Sequence, residues 1–181
     1  LVGSEMCIRD SAPGAFSGCK NLKHISFEEG ITEIAYKLFS NCTGLEEITI
    51  PDTVTTIKGN AFYECSNLAK VKLSENLTVI EADAFQECNS LQNIELPEGL
   101  SEIKDRAFYQ CSNLKEIKIP DSVTKIEGSA FYECKKLQNV TLSKNLESLG
   151  SSTFGNCDGL TQIEIPKSLE RAGDDLSLIH I

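Results

Sequence analysis

Phenylalanine recurs every 23 residues, at Phe16, Phe39, Phe62, Phe85, Phe108, Phe131 and Phe154, and a cysteine follows three residues after each, from Cys19 to Cys157. No insertion or deletion disturbs this spacing. A strict period of that length confines the chain to a solenoid, in which units stack and bury one continuous core. It also points to a binding or structural role.

The two ends fall outside the pattern. Ordinary codons for residues 6–11, read on the opposite DNA strand, give Leu-Ser-Leu-Ile-His-Ile, which is the sequence of residues 176–181. Residues 1–11 and 176–181 are therefore expected to be non-native tags and are excluded from fold reasoning. Residues 12–175 are expected to be one array of about seven repeats, an internal piece of a longer product. Setting Cys7 and His180 aside leaves every cysteine in one column and His24 as the one histidine. The full chain carries a formal net charge of −10, spread along its length. That balance opposes binding to nucleic acid or to an anionic membrane. No apolar run approaches the ~20 residues of a membrane span, so direct membrane insertion is not expected.

The fifth unit shows how one repeat is built. Ala107, Phe108, Cys111, Leu114, Ile117, Ile119, Val123 and Ile126 are its apolar positions, and the other units keep the same columns. Ile117-Lys118-Ile119 alternates with period two and is β-branched, so residues 115–119 read as a short strand. Pro120 ends it, as Pro51, Pro97 and Pro166 do elsewhere. Residues 123–126 form a second extended piece on the opposite wall. Phe108 and Cys111, at i and i+3, read as one helical turn. Asn60, Asp83, Ser129 and Ser152 just before that turn suit an N-cap, although Lys37 and Arg106 in the same column do not.

The order C-x-x-L-x-x-I-x-[IL]-P-x-x-[VL]-[TS]-x-I-x-x-x-A-F resembles the BspA-like class of leucine-rich repeats, over essentially all of residues 12–175. Departures are few: Leu38 and Thr153 replace Ala, and Glu28, Ser74 and Ser143 replace Pro. The resemblance implies a right-handed, β-rich α/β coil with a parallel sheet on its concave wall. It further implies surface proteins of host-associated bacteria and some protists, linked with adhesion, and offers no catalytic residues.

Each suggestive column also has a plain structural reading. Stacked cysteines point the same way, which holds their Cβ atoms near 4.8 Å, beyond the ~3.5–4.5 Å of a disulfide. A ladder likewise spreads its ligands along a line, whereas zinc needs them to converge. The cysteines are therefore expected to be reduced, buried and hydrophobic in role. Serine at Cys88 is then expected to bury a poorly paired hydroxyl, with alanine milder. Tyr63, Tyr109 and Tyr132 are expected on a partly exposed edge. Thr32, Thr55, Thr78, Ser101 and Thr124 are expected to satisfy edge hydrogen bonds. His24 has no partner for a triad, no phosphate-binding loop appears, and no metal or cofactor is expected.

Leucine-rich repeats usually bind through outward positions of the concave strand. Those columns contain Glu47, Lys70, Asn93 and Glu116, and Lys72, Glu95 and Lys118, which form the candidate binding surface. Their alternating signs also fit cross-strand pairing that keeps a sheet soluble. The resulting expectation is a non-catalytic module of a cell-surface or secreted protein. It would bind protein ligands, extracellular matrix or a host surface, not nucleic acid. The alternative is an intracellular scaffold for protein partners.

Overall fold

The computed structural model describes residues 12–28 and 30–173, together with the main chain of Glu5–Ile8. Residues 1–4, 9–11 and 176–181, assigned above to tags, lie outside the described residues. Coils are numbered here from each phenylalanine: one, 16–38; two, 39–61; three, 62–84; four, 85–107; five, 108–130; six, 131–153; seven, from 154.

The strands are short and parallel. The first seven are β1 (Glu5–Ile8), β2 (His24–Phe27), β3 (Glu33–Ile34), β4 (Glu47–Thr49), β5 (Thr56–Ile57), β6 (Lys70–Lys72) and β7 (Val79–Ile80). The remainder are β8 (Glu102–Ile103), β9 (Glu116–Lys118), β10 (Lys125–Ile126), β11 (Asn139–Thr141), β12 (Ser148–Leu149) and β13 (Arg171–Ala172). Every pairing between coils joins residues 23 apart, for example Glu47 with Lys70 and Ile126 with Leu149. Strand β1 is different: it pairs with β2 at an offset of 19, Glu5 opposite His24, and so is not a coil of the repeat.

Stacking by 23 places like on like. Rings of the seven phenylalanines form an unbroken interior column with centroids 5.1 to 5.9 Å apart. Phe39 to Phe131 are fully buried, as are Leu45, Leu68, Leu91, Leu114 and Leu137. The cysteines lie beside them, and each thiol of Cys42 to Cys157 donates to a phenylalanine carbonyl of the preceding coil, Cys88 to Phe62 at 3.2 Å. That contact revises the expectation for serine at Cys88, because a hydroxyl there has an acceptor waiting.

The wall expected to hold one helical turn per repeat holds none among the described residues. Two residues per coil instead take left-handed φ, at Lys37 and Asn41, Asn60 and Glu64, Asp83 and Glu87, Arg106 and Gln110, Ser129 and Glu133, and Ser152 and Asn156. A left-handed residue turns its N–H out of a helical ladder and toward the neighbouring coil. Glu87 donates to Tyr109 O, Arg106 to Gly128 O, and Gln110 to Tyr132 O, at 2.8 to 3.0 Å. Phe–Cys spacing at i and i+3 survives because tight turns close between them, as in the Cys88 N–H to Phe85 O bond. The supposed N-cap column is thus a left-handed column, which accounts for Lys37 and Arg106 within it.

Sheet continuity also differs from expectation. The unbroken sheet is on the second wall, seven strands in the order β13-β12-β10-β8-β7-β5-β3. The first wall, carrying the candidate surface, is divided into the pairs β1-β2, β4-β6 and β9-β11. Hydroxyls on the second wall bond along their column as expected, Thr78 to Thr55 O at 3.0 Å and Ser101 to Thr78 O at 2.9 Å.

Candidate binding wall

Side chains of β4 and β9 alternate exposed, buried, exposed, which turns Glu47, Glu116 and Lys118 outward over buried Ile48 and Ile117. Lys70 and Lys72 are exposed in the same way on β6, and Asn93 and Glu95 on coil four. The structure therefore places all seven candidate residues on one face. Lys70 meets Glu47 at 3.9 Å, the expected cross-strand pair. Lys118 reaches instead to Glu98 on coil four at 3.8 Å. Both pairs are well exposed, so they organise charge more than they stabilise the fold.

Ladder bonding on this wall follows a pattern in threes. Coils two and three are joined by β4-β6 and by Ile50 N–H to Lys72 O at 2.8 Å. Coils five and six are joined by β9-β11 and by Ile119 N–H to Thr141 O at 2.8 Å. Coil four joins neither ladder. Burial of the last strand-side apolar column responds accordingly: Ile50 and Ile119 are 1% exposed, Leu73 and Leu142 reach 5% and 8%, and Leu96 is only half-buried.

Serines that replace proline explain the pattern. Ser74 Oγ accepts the Asn76 N–H at 3.1 Å, Asp52 Oδ1 accepts the Glu75 N–H, and the Asn76 amide donates to Asp52 O, both at 2.9 Å. Ser143, Lys144 and Asn145 make the same three bonds to themselves and Asp121. The Lys144 N–H is the main reason the Asp121 carboxyl stays below its ordinary pKa. A coil whose first-wall strand is followed by Pro-Asp is thus clipped to one whose strand is followed by Ser-x-Asn, and the clipped coil pairs are the laddered coil pairs. In the repeat pattern Ser74 and Ser143 stand only as departures from proline, and Asp52, Asn76, Asp121 and Asn145 carry no expectation. Their signal was available: Pro-Asp at 51 and 120, each followed 23 residues later by Ser-x-Asn, repeats after 69 residues.

Where the clip is missing, the wall opens. A groove of about 480 Å³ lies between coils three and four, floored by Val71, Ile94 and Leu96 and rimmed by Lys70, Lys72 and Glu95. A second, of about 530 Å³, lies between coils four and five, with Ile94, Leu96 and Ile117 below Glu95, Glu116 and Lys118. A third of about 530 Å³ separates coils six and seven. Six of the seven candidate residues line the first two grooves. Glu47 lines a smaller hollow of about 320 Å³ with His24 and Lys70.

The tyrosine edge lies on the turn wall. Tyr63, Tyr109 and Tyr132 are half-buried, and the rings of Tyr109 and Tyr132 stack at 5.3 Å. The Tyr63 phenol is pushed up to about 12, chiefly by its hydrogen bond to Glu64. Among the described residues no three histidine, cysteine or acidic side chains converge as a metal site would require. None forms a helix long and apolar enough to cross a membrane.

Comparison with known proteins agrees with this architecture. The BspA type Leucine rich repeat region matches in 6 copies over residues 12–101 and 56–176. A leucine-rich repeat protein from Bacteroides ovatus is 35% identical with a TM-score of 0.72, over 77% of this chain. The chain spans 36% of that protein's length. The leucine-rich repeat protein of T. pallidum is 27% identical with a TM-score of 0.78, over 95% of this chain and 75% of its own. The pneumococcal vaccine antigen PcpA shares the fold, at 23% identity and a TM-score of 0.65, over 96% of this chain and 51% of its own. Searching the curated proteins returns no match. With its repeats matched across nearly the whole array, the chain belongs to the BspA-type leucine-rich-repeat family.

Proposed function

We propose that this array is a protein-binding module of a surface-displayed adhesion protein, and that partners dock on the first wall across Glu47, Lys70, Lys72, Asn93, Glu95, Glu116 and Lys118. The opening of that wall carries the reading. Half-buried Val71 and Leu96 lie beneath exposed charged and amide side chains, an apolar floor with a polar rim. The continuous second-wall sheet ties successive coils together, so the main chain that carries those side chains is ordered before docking and little backbone order is lost on binding. The family resemblance supports surface display and adhesion, and the repeat fold supports binding in place of catalysis.

Two measurements test it. Reversing Lys70 and Lys72 to Glu should weaken partner capture at least tenfold while leaving the melting temperature unchanged; capture unaltered both by this variant and by neutralising Glu95 and Glu116 would move the site to another wall. Antibody labelling of intact source cells should succeed. Labelling that requires permeabilisation would favour the intracellular scaffold, a reading in keeping with a column of unpaired thiols.

A further inference from the structure

Charge separates the two grooves beside coil four. The groove between coils three and four has Lys70 and Lys72 on its rim with Glu75, Glu95 and Glu98. Its neighbour, between coils four and five, holds Glu95, Glu98 and Glu116 against Lys118 alone. Lys118 is paired with Glu98, so Glu95 and Glu116 are left with no ion pair among the described residues. Lys115 is close by on β9's coil, but its ammonium is committed to Gln92 Oε1 at 2.8 Å. Two uncommitted carboxylates therefore stand over a floor made by Ile94, Leu96 and Ile117.

That floor is a product of the missing clip. Leu96 is the interior member of its column that stays half-buried, while Ile50 and Ile119 in the clipped pairs are closed to 1%. A partner that covers Leu96 removes apolar area from water that the fold itself leaves wet. A hollow of about 530 Å³ falls within the range of ordinary ligand pockets, room for one large side chain and its neighbours.

Building on the first-wall reading, we propose that the groove between coils four and five selects an extended protein segment presenting an aliphatic side chain flanked by a cationic one. The aliphatic group seats on Leu96 between Ile94 and Ile117. The cation pairs with Glu95 and Glu116, which sets orientation and speeds encounter while rejecting acidic segments. The protein's overall negative charge acts in the same direction.

The test uses two synthetic peptides, acetyl-Gly-Arg-Leu-Arg-Gly-amide and its counterpart with Glu in place of Arg, against chain labelled at isoleucine and leucine methyls. Methyl resonances of Ile94, Leu96 and Ile117 should shift with the basic peptide, and the acidic one should bind at least tenfold more weakly. E95Q/E116Q should weaken the basic peptide about tenfold, and added salt should act similarly. A clip installed by Glu98→Asp, Pro120→Ser and Ser122→Asn should close the groove and abolish the shifts. Equal response to both peptides, shifts confined to other methyls, or no response by about 1 mM would overturn the proposal. Partner capture that survives E95Q/E116Q but fails with Lys70 and Lys72 reversed would reject this groove and leave the wall reading intact. Capture indifferent to both variants would reject the two together.

Discussion

Asn76 reaches back one coil to donate its side-chain amide to the Asp52 carbonyl at 2.9 Å, while Asp52 accepts the Glu75 N–H. This reciprocal clip fixes which coils close on the first wall. Asn76→Ala should cost about 1 kcal/mol, the net worth of an ordinary hydrogen bond, in chemical denaturation. Amide exchange at Ile50 should accelerate in the same variant, because its bond to Lys72 O depends on the closed pair. An unchanged Ile50 rate would separate the clip from the ladder.

Left-handed positions provide a second test. Glu87 holds φ at 60°, a conformation that costs a residue with a Cβ about 1 kcal/mol. Glu87→Gly should therefore hold or raise the denaturation midpoint, offsetting glycine's added unfolded-chain freedom. Glu87→Val should lower stability by about 1–2 kcal/mol, because branching at Cβ crowds this region further. A helical turn at this site would give the reverse ranking for glycine.

Burial pushes the thiols up, Cys42 to about 11 and Cys111 and Cys157 to about 12. An unfolded chain releases these protons near the ordinary thiol value of about 8.5. Folded pKa values above unfolded ones mean that stability is fully present below about pH 8.5 and lost as pH rises toward 12. The loss is about 1.4 kcal/mol per pH unit for each thiol in that window. Cys111→Ala should make the alkaline decline shallower by about one thiol's share; an identical slope would place Cys111 in water. At neutral pH the buried thiols should alkylate far more slowly than Cys19, which is half-buried at the end of the column.

Cys88→Ser and Cys88→Ala should differ by less than about 1 kcal/mol, since serine keeps a donor for Phe62 O and alanine keeps apolar character. Urea titration of the two variants decides this. A serine variant weaker by several kcal/mol would restore the unpaired-hydroxyl expectation.

The apolar columns were legible because stacking by 23 forces each into one environment. Phe39, Leu68 and Ile126 are buried for the reason their spacing declares. Main-chain handedness was hidden, because Phe and Cys three apart fit a helical turn and a pair of tight turns equally well. Lys37 and Arg106 in the supposed capping column were the clue. The candidate columns were readable from alternation at Ile117-Lys118-Ile119, but the openings were not. They depend on Ser74 and Ser143, which look like minor lapses from proline until Asp52 and Asp121 are placed one coil away.

Because the Pro-Asp and Ser-x-Asn coils recur after three units, equivalent openings, such as those between coils three and four and between coils six and seven, come about 14 Å apart along the axis, three coil heights. The array is a ruler as well as a surface. A partner bearing its motif twice at that pitch would gain avidity from both stations at once. Inserting a single coil would slide the stations out of step, so growth in whole triplets preserves the graduation.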